Sequence, residues 1–142
     1  MFMGNYTHSI DDKGRIAIPS EWRSAGESGV TWVITQGFDN CLLLYTEVEW
    51  QNFMEKIKKL PYAHQKNRII MRKTVAPARY VNADKQGRVL IPGNLREYAD
   101  IGKEAILAGM LTRVEIWDKE IWDELQEKNK TLDEEDLLHL DF

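Results

Sequence analysis

Two short stretches of the chain carry the residue types best suited to binding an anionic ligand, and they repeat one another. The first runs from Asp11 to Pro19 and reads DDKGRIAIP, and the second runs from Asp84 to Pro92 and reads DKQGRVLIP. Each contains an acid, a glycine next to an arginine, an alternating apolar segment and a proline. A guanidinium group binds phosphate, or the edge of guanine, through two parallel hydrogen bonds. These two stretches, called the D-x-x-G-R motifs, therefore indicate nucleic-acid binding.

The motif residues fall into two groups, basic side chains that are predicted to contact DNA and residues that shape the turn. We assign Asp11 and Asp84 to orienting the arginines, because Asp caps turns readily. Gly14 and Gly87 supply positive φ and let the backbone approach a phosphate closely. In the competing interpretation each Asp pairs with its Arg only to hold the turn, and we expect both roles to operate. The predicted DNA-contacting residues are Lys13, Arg15, Lys85 and Arg88.

The repetition extends beyond the motifs and predicts the architecture. At an offset of 73 residues Arg23 falls on Arg96, and after the loss of one residue Trp50 falls on Trp122. This period exceeds the ~20–50 residues of a solenoid repeat, so it indicates a duplicated half-domain. Two such halves can intertwine and cover the edges that each would leave alone. The predicted fold is mainly β with flanking helices (α+β), in which two intertwined halves form one small pseudo-two-fold β-barrel.

The same patterns predict where the units and helices begin and end. Ser20, Thr46 and Asp118 are predicted helix N-caps, and Thr131 to Glu134 has the spacing of a further capping box. An apolar stripe beginning at Trp50 predicts a helix that faces the core. The predicted units are a first half at 5–47, connecting helices at 48–76, a second half at 77–119, and a helix with an acidic tail at 120–142.

The charge of the chain is distributed unevenly. The 142 residues carry a formal net charge of −4, and 43% of them are hydrophobic, which is typical of a folded globular domain. Residues 118–142 contain ten Asp and Glu against three Lys, so residues 1–117 carry +3. Residues 56–88 contain ten Lys and Arg against one acid. This asymmetry predicts a basic face beside an acidic tail.

The sequence contains no pattern that indicates catalysis, cofactor binding or a membrane-spanning segment. The three histidines have no metal-binding spacing, and the sequence has no glycine-rich phosphate loop, so we predict no catalytic residue, metal site or cofactor. The single cysteine, Cys41, excludes an internal disulfide and is expected to be a small buried hydrophobe. No apolar run approaches the ~18 residues of a membrane span. The N-terminus does not resemble a signal peptide, so a cytoplasmic protein is expected.

The chain resembles the MraZ family of bacterial transcriptional regulators, in the SpoVT/AbrB-type swapped-hairpin superfamily. The resemblance covers nearly the whole chain and weakens only after about Lys130. The residues that carry it are Met1, Phe2, Gly4, Asp11–Arg15, Ile18, Pro19, Arg23, Arg68, Arg72, Asp84–Arg88, Tyr98, Ala99, Glu115–Trp117 and Trp122.

The resemblance implies a cytoplasmic, nucleoid-associated DNA-binding regulator in which two AbrB-like swapped-hairpin halves form one small barrel. It also adds three candidate DNA contacts, Arg72, Lys73 and Arg79. Such a protein binds short repeats of double-stranded DNA upstream of the division and cell-wall gene cluster, including its own operon, and usually represses it. Its subunits associate into a closed ring, a homo-oligomer that presents many motif pairs. Two alternatives stay open: a structural ring-forming protein whose basic motifs pair internally, and an AbrB-type antitoxin-like binder.

Overall fold

The computed structural model describes residues 1–23, 29–131 and 134–140, and within them the chain is mainly β with flanking helices. This confirms the predicted α+β class. The strands are β1 (Asn5–Ser9), β2 (Arg15–Ala17), β3 (Thr31–Gln36), β4 (Leu42–Thr46), β5 (Arg79–Asn82), β6 (Arg88–Leu90), β7 (Glu104–Gly109) and β8 (Val114–Asp118). The helices are α1 (Glu47–Lys58), α2 (Gln65–Thr74), α3 (Gly93–Tyr98), α4 (Lys119–Lys128) and α5 (Glu134–Leu138).

The strand order repeats the duplication of the sequence. Six antiparallel strands form one sheet in the order β1-β7-β8-β4-β3-β5, and β2 and β6 pair as a separate two-stranded ribbon. Exchanging the halves turns β1 into β5, β7 into β3 and β8 into β4, and it leaves this order unchanged. The first strand of each half pairs with a strand of the other half, β1 with β7 and β5 with β3. The predicted swapped, pseudo-two-fold arrangement is therefore present.

The strand registers locate the pseudo-two-fold axis. Leu43 lies opposite Glu115 where β4 meets β8, and these residues are equivalent at the offset of 72. Ile16 lies opposite Val89 in the ribbon, and these are equivalent at the offset of 73. An antiparallel pair places equivalent residues opposite each other only when the axis passes between them. The axis therefore runs through the centre of the sheet and the centre of the ribbon.

The ribbon and α3 cover one face of the sheet, and α1 and α4 cover the other. Ile16 and Val89 from the ribbon pack with Leu44 and Leu107 from the sheet in the main core. On the opposite face α1 packs Trp50 against the sheet, and α4 packs its apolar side there in the same way. Among the described strands the hydrogen-bonded order is open, with β1 and β5 at its edges, so closure into a barrel stays a prediction.

Two of the predicted helix caps are confirmed. The Thr46 hydroxyl accepts a hydrogen bond from the Glu49 amide at 3.2 Å, and the Asp118 carboxylate accepts one from the Ile121 amide at 3.3 Å. Each side chain thus satisfies an amide that has no partner within its own helix. These caps fix the starts of α1 and α4, the two helices that cover the sheet.

The prediction for Ser20 is wrong. The short segment after the first motif is a 3₁₀ turn over Ser20–Trp22, and the residue at its N-cap position is Pro19. The Trp22 amide donates to the Pro19 carbonyl, and the Ser20 hydroxyl donates to the Glu21 carboxylate instead of capping. The turn starts one residue earlier than predicted, because Pro19 ends the strand and its carbonyl accepts the first hydrogen bond of the turn. The box predicted at Thr131 to Glu134 includes residues 132–133, which lie outside the described residues.

Candidate nucleic-acid interface

The first D-x-x-G-R motif is a tight turn held by one carboxylate. Asp11 accepts hydrogen bonds through Oδ1 from the amides of Lys13 at 3.0 Å and Arg15 at 2.8 Å. Its Oδ2 accepts from Arg15 Nε at 2.7 Å. Gly14 donates its amide to the Asp11 carbonyl and adopts φ +85°, a conformation that favours glycine. The aspartate therefore closes the turn and fixes the direction of the arginine.

The second motif repeats this geometry bond for bond. Asp84 accepts through Oδ1 from the amides of Gln86 and Arg88, both at 2.9 Å. Its Oδ2 accepts from Arg88 Nε at 2.9 Å, and Gly87 adopts φ +74°. The two halves therefore have the same turn structure although the middle residues of the two turns differ.

The ribbon brings the two arginines together on its outward face. In the β2–β6 pairing Arg15 lies opposite Leu90 and Arg88 opposite Ala17, so the arginines are diagonal neighbours. Arg15 Nη1 lies 3.8 Å from Asp84 Oδ2, and Arg88 Nη1 lies 3.6 Å from Asp11 Oδ2. Each carboxylate thus contacts both guanidinium groups. We call these four residues, Asp11, Arg15, Asp84 and Arg88, the Asp–Arg quartet.

The quartet is electrically balanced. The hydrogen bond from the Arg15 amide, followed by that from the Arg15 side chain, lowers the pKa of Asp11, although partial burial acts against them. The corresponding bonds from Arg88 lower the pKa of Asp84 in the same way. Both carboxylates are therefore ionised at neutral pH, and two negative charges face two positive ones. The side chains are about 30% exposed, so water screens each pair.

Outside the balanced quartet, the two turns carry two lysines and one acid, Asp12, a net charge of +1. Lys13 and Lys85 are both exposed, one in each turn. They are not equivalent by the pseudo-two-fold, since Lys13 corresponds to Gln86 and Lys85 corresponds to Asp12. Between Asp and Gly, the first turn therefore has Asp12 and Lys13, whereas the second turn has Lys85 and Gln86.

Two further arginines reach the turns, and the sequence analysis gave them no role. Arg23 Nη1 donates to the Gln86 carbonyl at 3.0 Å, and its side chain occupies the space that a Cβ at residue 87 would need. The equivalent Arg96 donates to the Ile101 and Gly102 carbonyls of its own half at 2.9 and 2.7 Å, and its Nη1 lies 3.9 Å from the place that a Cβ at residue 14 would take. Each half thus places an arginine beside the turn of the other half. The recurrence of Arg23 at Arg96 in the repeat was the signal that could have found them.

The three additional candidates lie outside the motif turns. Arg72 is exposed on α2, and Lys73 on the same helix places its ammonium group 5.8 Å from the ring centroid of Tyr98. Arg79 is exposed on the edge strand β5. Their contact with DNA stays a prediction.

The described residues show no other candidate for chemistry. Among them, no group of three His, Cys, Asp or Glu side chains could hold a metal ion. Cys41 is fully buried, and burial raises the pKa of its thiol to about 12. In the part of the chain that is described, every helix is too short or too polar to cross a membrane.

Comparison with known proteins gives the same assignment along the whole chain. The family described as "MraZ protein, putative antitoxin-like" matches residues 1–73 and 75–139. The chain belongs to the MraZ family. The Transcriptional regulator MraZ of Thermoanaerobacter pseudethanolicus is 48% identical over 141 residues, which cover 99% of this chain and 97% of the relative. The protein of the same name from Caldanaerobacter subterraneus subsp. tengcongensis is 47% identical over the same coverage.

A more distant MraZ relative matches a slightly shorter part of the chain. The Transcriptional regulator MraZ of Clostridium tetani is 44% identical over 129 residues, which cover 91% of this chain and 89% of the relative. In the family match, residues 1–73 contain the first D-x-x-G-R motif and residues 75–139 contain the second. The resemblance drawn from the doubled motif is thus confirmed.

Proposed function

We propose that this protein is a sequence-specific, DNA-binding transcriptional regulator whose motif turns contact double-stranded DNA. The observation that carries the proposal is the similarity of the whole chain to proteins named as MraZ transcriptional regulators. The target that the family suggests is a set of short repeats upstream of the division and cell-wall genes, including the protein's own operon. Regulation is by repression, and the protein works in the cytoplasm on the nucleoid.

The geometry suggests how the work is divided within each motif pair. The Asp–Arg quartet is balanced in charge and holds the two turns in a fixed relation, so its first role is that of a frame. Lys13 and Lys85 are exposed and supply the positive charge for phosphates. Arg15 and Arg88 each have one nitrogen bound tightly to an Asp, which leaves the rest of the fork to reach a phosphate or a guanine edge.

One motif pair is too small for tight binding by itself. Specific protein–DNA complexes rely on many phosphate contacts, and the two turns of one chain offer only a few. A closed ring of subunits would present several motif pairs to spaced repeats. Linked sites gain about 10²–10⁴ in overall affinity without any new contact. The proposal therefore includes a homo-oligomeric ring.

The decisive experiment measures binding to duplex DNA from upstream of the protein's own gene as a function of salt. The comparison is wild type against Lys13→Ala with Lys85→Ala, with Lys128→Ala on α4 as the matched control. Each lost phosphate contact should reduce the slope of log K against log salt by about 0.9. We expect the turn variant, but not the control, to lose affinity and slope while keeping the wild-type assembly state.

Replacing the arginines tests a different property and must be interpreted separately. Arg15→Ala with Arg88→Ala leaves Asp11 and Asp84 facing each other without counter-charges, so the frame itself should weaken. Loss of DNA binding in that variant counts as evidence for direct contact only if sedimentation and the melting temperature stay near wild type. If the lysine variant binds DNA as well as wild type does, the motif turns are not the DNA-binding surface.

Two specific observations favour other functions. The internal pairing within the quartet favours a structural ring protein, for which wild type would show no salt-dependent DNA binding at all. The family description includes the term antitoxin-like, which favours an AbrB-type antitoxin-like binder with a protein partner. In that case, purification from the native host should yield a stoichiometric protein complex.

A further inference from the structure

The surface of α2 contains a groove that the proposed function does not use. It has a volume of about 220 Å³ and lies between α2 and the loop that precedes it. Four of its six lining residues are aliphatic or aromatic, and the other two are arginines. The lining residues are Tyr62, Arg68, Met71, Arg72, Val75 and Ala76.

The groove is held in shape by one of its own arginines. Arg68 Nη1 donates to the carbonyls of Tyr62 at 3.0 Å and Ala63 at 2.9 Å. The guanidinium carbon also lies 5.9 Å from the centroid of the Tyr62 ring. These contacts fix the loop against the helix, so the groove is formed before any ligand arrives. A preformed groove lowers the ordering cost of binding.

The groove has a mostly apolar lining and lies on a positively charged helix. Helix α2 reads QKNRIIMRKT and contains no acid among its ten residues. Tyr62 is 66% exposed, and Ile69 on α2 is 51% exposed. An apolar surface with a cationic border is suited to a short segment that carries both leucines and acids.

The chain itself contains a segment of that chemistry. The tail around α5 reads EEDLLHLDF from Glu134, within a region of net charge −7. Leu138 is 78% exposed and Leu140 is 67% exposed, and the neighbouring Glu135 and Asp136 are exposed as well. Burial of these leucine side chains against an apolar surface would lower the free energy, because it removes apolar area from water.

We propose that the α2 groove binds the acidic tail of a second copy of this chain. The tail leucines pack against the apolar lining residues of the groove, and the tail carboxylates face Arg72 and the other basic side chains of α2. This proposal does not rest on DNA binding, since it depends only on the complementarity of the two surfaces.

The pseudo-symmetry favours a second copy over the same chain. Helix α4 is the counterpart of α1, so the segment after α4 leaves the sheet on the β7 side, where the segment after α1 leaves it on the β3 side. In the strand order β7 and β3 lie three positions apart, which is about 14 Å at the usual strand spacing. The chain's own tail therefore starts about three strands away from the groove, and its Leu138 and Leu140 stay exposed rather than entering the groove.

The first test is a titration with a fluorescent peptide of residues 131–142. The protein is the full chain carrying Leu138→Asp and Leu140→Asp, so that its own tails do not compete. We expect salt-sensitive binding that weakens about fivefold or more when Arg72→Glu is added, because one attractive pair is replaced by a repulsive one. Lys128→Glu on α4, which makes the same charge change away from the groove, should have no effect. Binding that ignores Arg72→Glu overturns the proposal, and so does the absence of binding.

A charge exchange distinguishes the tail from DNA as the occupant of the groove. A peptide with Glu135→Lys and Asp136→Lys should bind the Arg72→Glu protein better than the wild-type peptide does. The affinity of the Arg72→Glu protein for upstream duplex DNA is measured alongside, because Arg72 is also a candidate DNA contact. If it loses DNA binding and the exchanged peptide restores nothing, α2 is a DNA-contacting helix and the proposal is wrong.

Cross-linking identifies which copy supplies the tail. Unlabelled and heavy-nitrogen-labelled wild-type chains are unfolded, mixed in equal amounts and refolded together. A zero-length carbodiimide reagent then joins tail carboxylates to lysines of α2 such as Lys66. Cross-linked peptides with one light and one heavy partner support a second copy. Cross-links found only between chains of the same label would overturn that assignment, and would place the tail on its own chain.

Discussion

Replacing each motif glycine with alanine tests whether the two turns are structurally equivalent. Gly14 and Gly87 both adopt positive φ, at +85° and +74°. An alanine in this left-handed region costs roughly 1–2 kcal/mol, because its Cβ approaches the backbone too closely. That contribution should be nearly the same for Gly14→Ala and Gly87→Ala.

The surroundings of the two glycines differ, and the difference predicts unequal costs. A Cβ at residue 14 would have ordinary contacts, the nearest being Leu90 Cδ1 at 3.7 Å. A Cβ at residue 87 would lie 2.6 Å from Arg23 Cδ, so the Arg23 side chain must move away. It would then lose its hydrogen bond to the Gln86 carbonyl, which contributes about 0.5–1.5 kcal/mol. We expect Gly14→Ala to cost about 1–2 kcal/mol and Gly87→Ala about 1 kcal/mol more.

The assay is chemical denaturation of both variants at one fixed protein concentration, since assembly would otherwise shift the apparent stability. A double-mutant cycle isolates the contact: in an Arg23→Ala background, Gly87→Ala should cost no more than Gly14→Ala. The reasoning is refuted if the two glycine variants are equally unstable in the wild-type background. It is also refuted if the excess cost of Gly87→Ala survives the loss of Arg23.

Four further predictions follow from the caps, the quartet, a buried hydroxyl and the unequal turns. Thr46→Ala should lower the free energy of unfolding by about 1 kcal/mol, because the Glu49 amide loses its acceptor, and denaturation measures this directly. Folding lowers the pKa of Asp11 and Asp84, so their stabilisation is present above the unfolded pKa near 4 and is lost as pH falls through the folded values. Acid unfolding followed by circular dichroism should therefore have a shallower pH dependence in Asp11→Asn with Asp84→Asn. Among the described residues the Tyr45 hydroxyl is buried without a hydrogen-bond partner, and burial raises its pKa to about 12. Tyr45→Phe should leave the free energy of unfolding unchanged or raise it, because no hydrogen bond is lost. In an absorbance titration, native wild type should show one fewer tyrosine ionising near pH 10 than the unfolded chain does. Asp12→Asn should strengthen DNA binding and steepen its salt dependence, whereas an unchanged salt slope would mean that the first turn does not approach phosphate.

Part of the topology could be predicted from the sequence because duplication constrains it strongly. Once two halves share a motif at an offset of 73 residues, two intertwined halves related by a pseudo-two-fold axis are expected, since each half covers strand edges of the other. The order of the strands in the sheet was not predicted. Caps such as Thr46 were also predictable, since an N-cap depends only on residues within one turn. The helix caps, which depend on local chemistry, and the pairing of the halves, which follows from the repeat, could therefore be predicted from the sequence.

The cross-contacts of the quartet were not predictable in the same way. The pairing of Asp11 with Arg15 is local and was expected, but the contact between Arg88 and Asp11 depends on the ribbon register, which places the arginines diagonally. The position of Arg23 against Gly87 likewise depends on the packing of one half on the other. Ser20 was misassigned because a serine after a strand-ending proline fits both a cap and a first turn residue.

Fusion of the two halves into one chain has a consequence for how DNA can be contacted. A homodimer of half-sized chains must present two identical turns, and identical turns favour palindromic sites. Here the frame of the quartet is nearly symmetric, since both turns make the same bonds to Asp11 and Asp84. The residues between Asp and Gly have nevertheless diverged, with Asp12 in one turn at the place of Lys85 in the other. Because the frame is shared and only exposed residues differ, each turn can contact a different base step without cost to the fold. Under the proposed function, a chain built in this way is suited to direct repeats, in which every subunit of an assembly would contact its site in the same orientation.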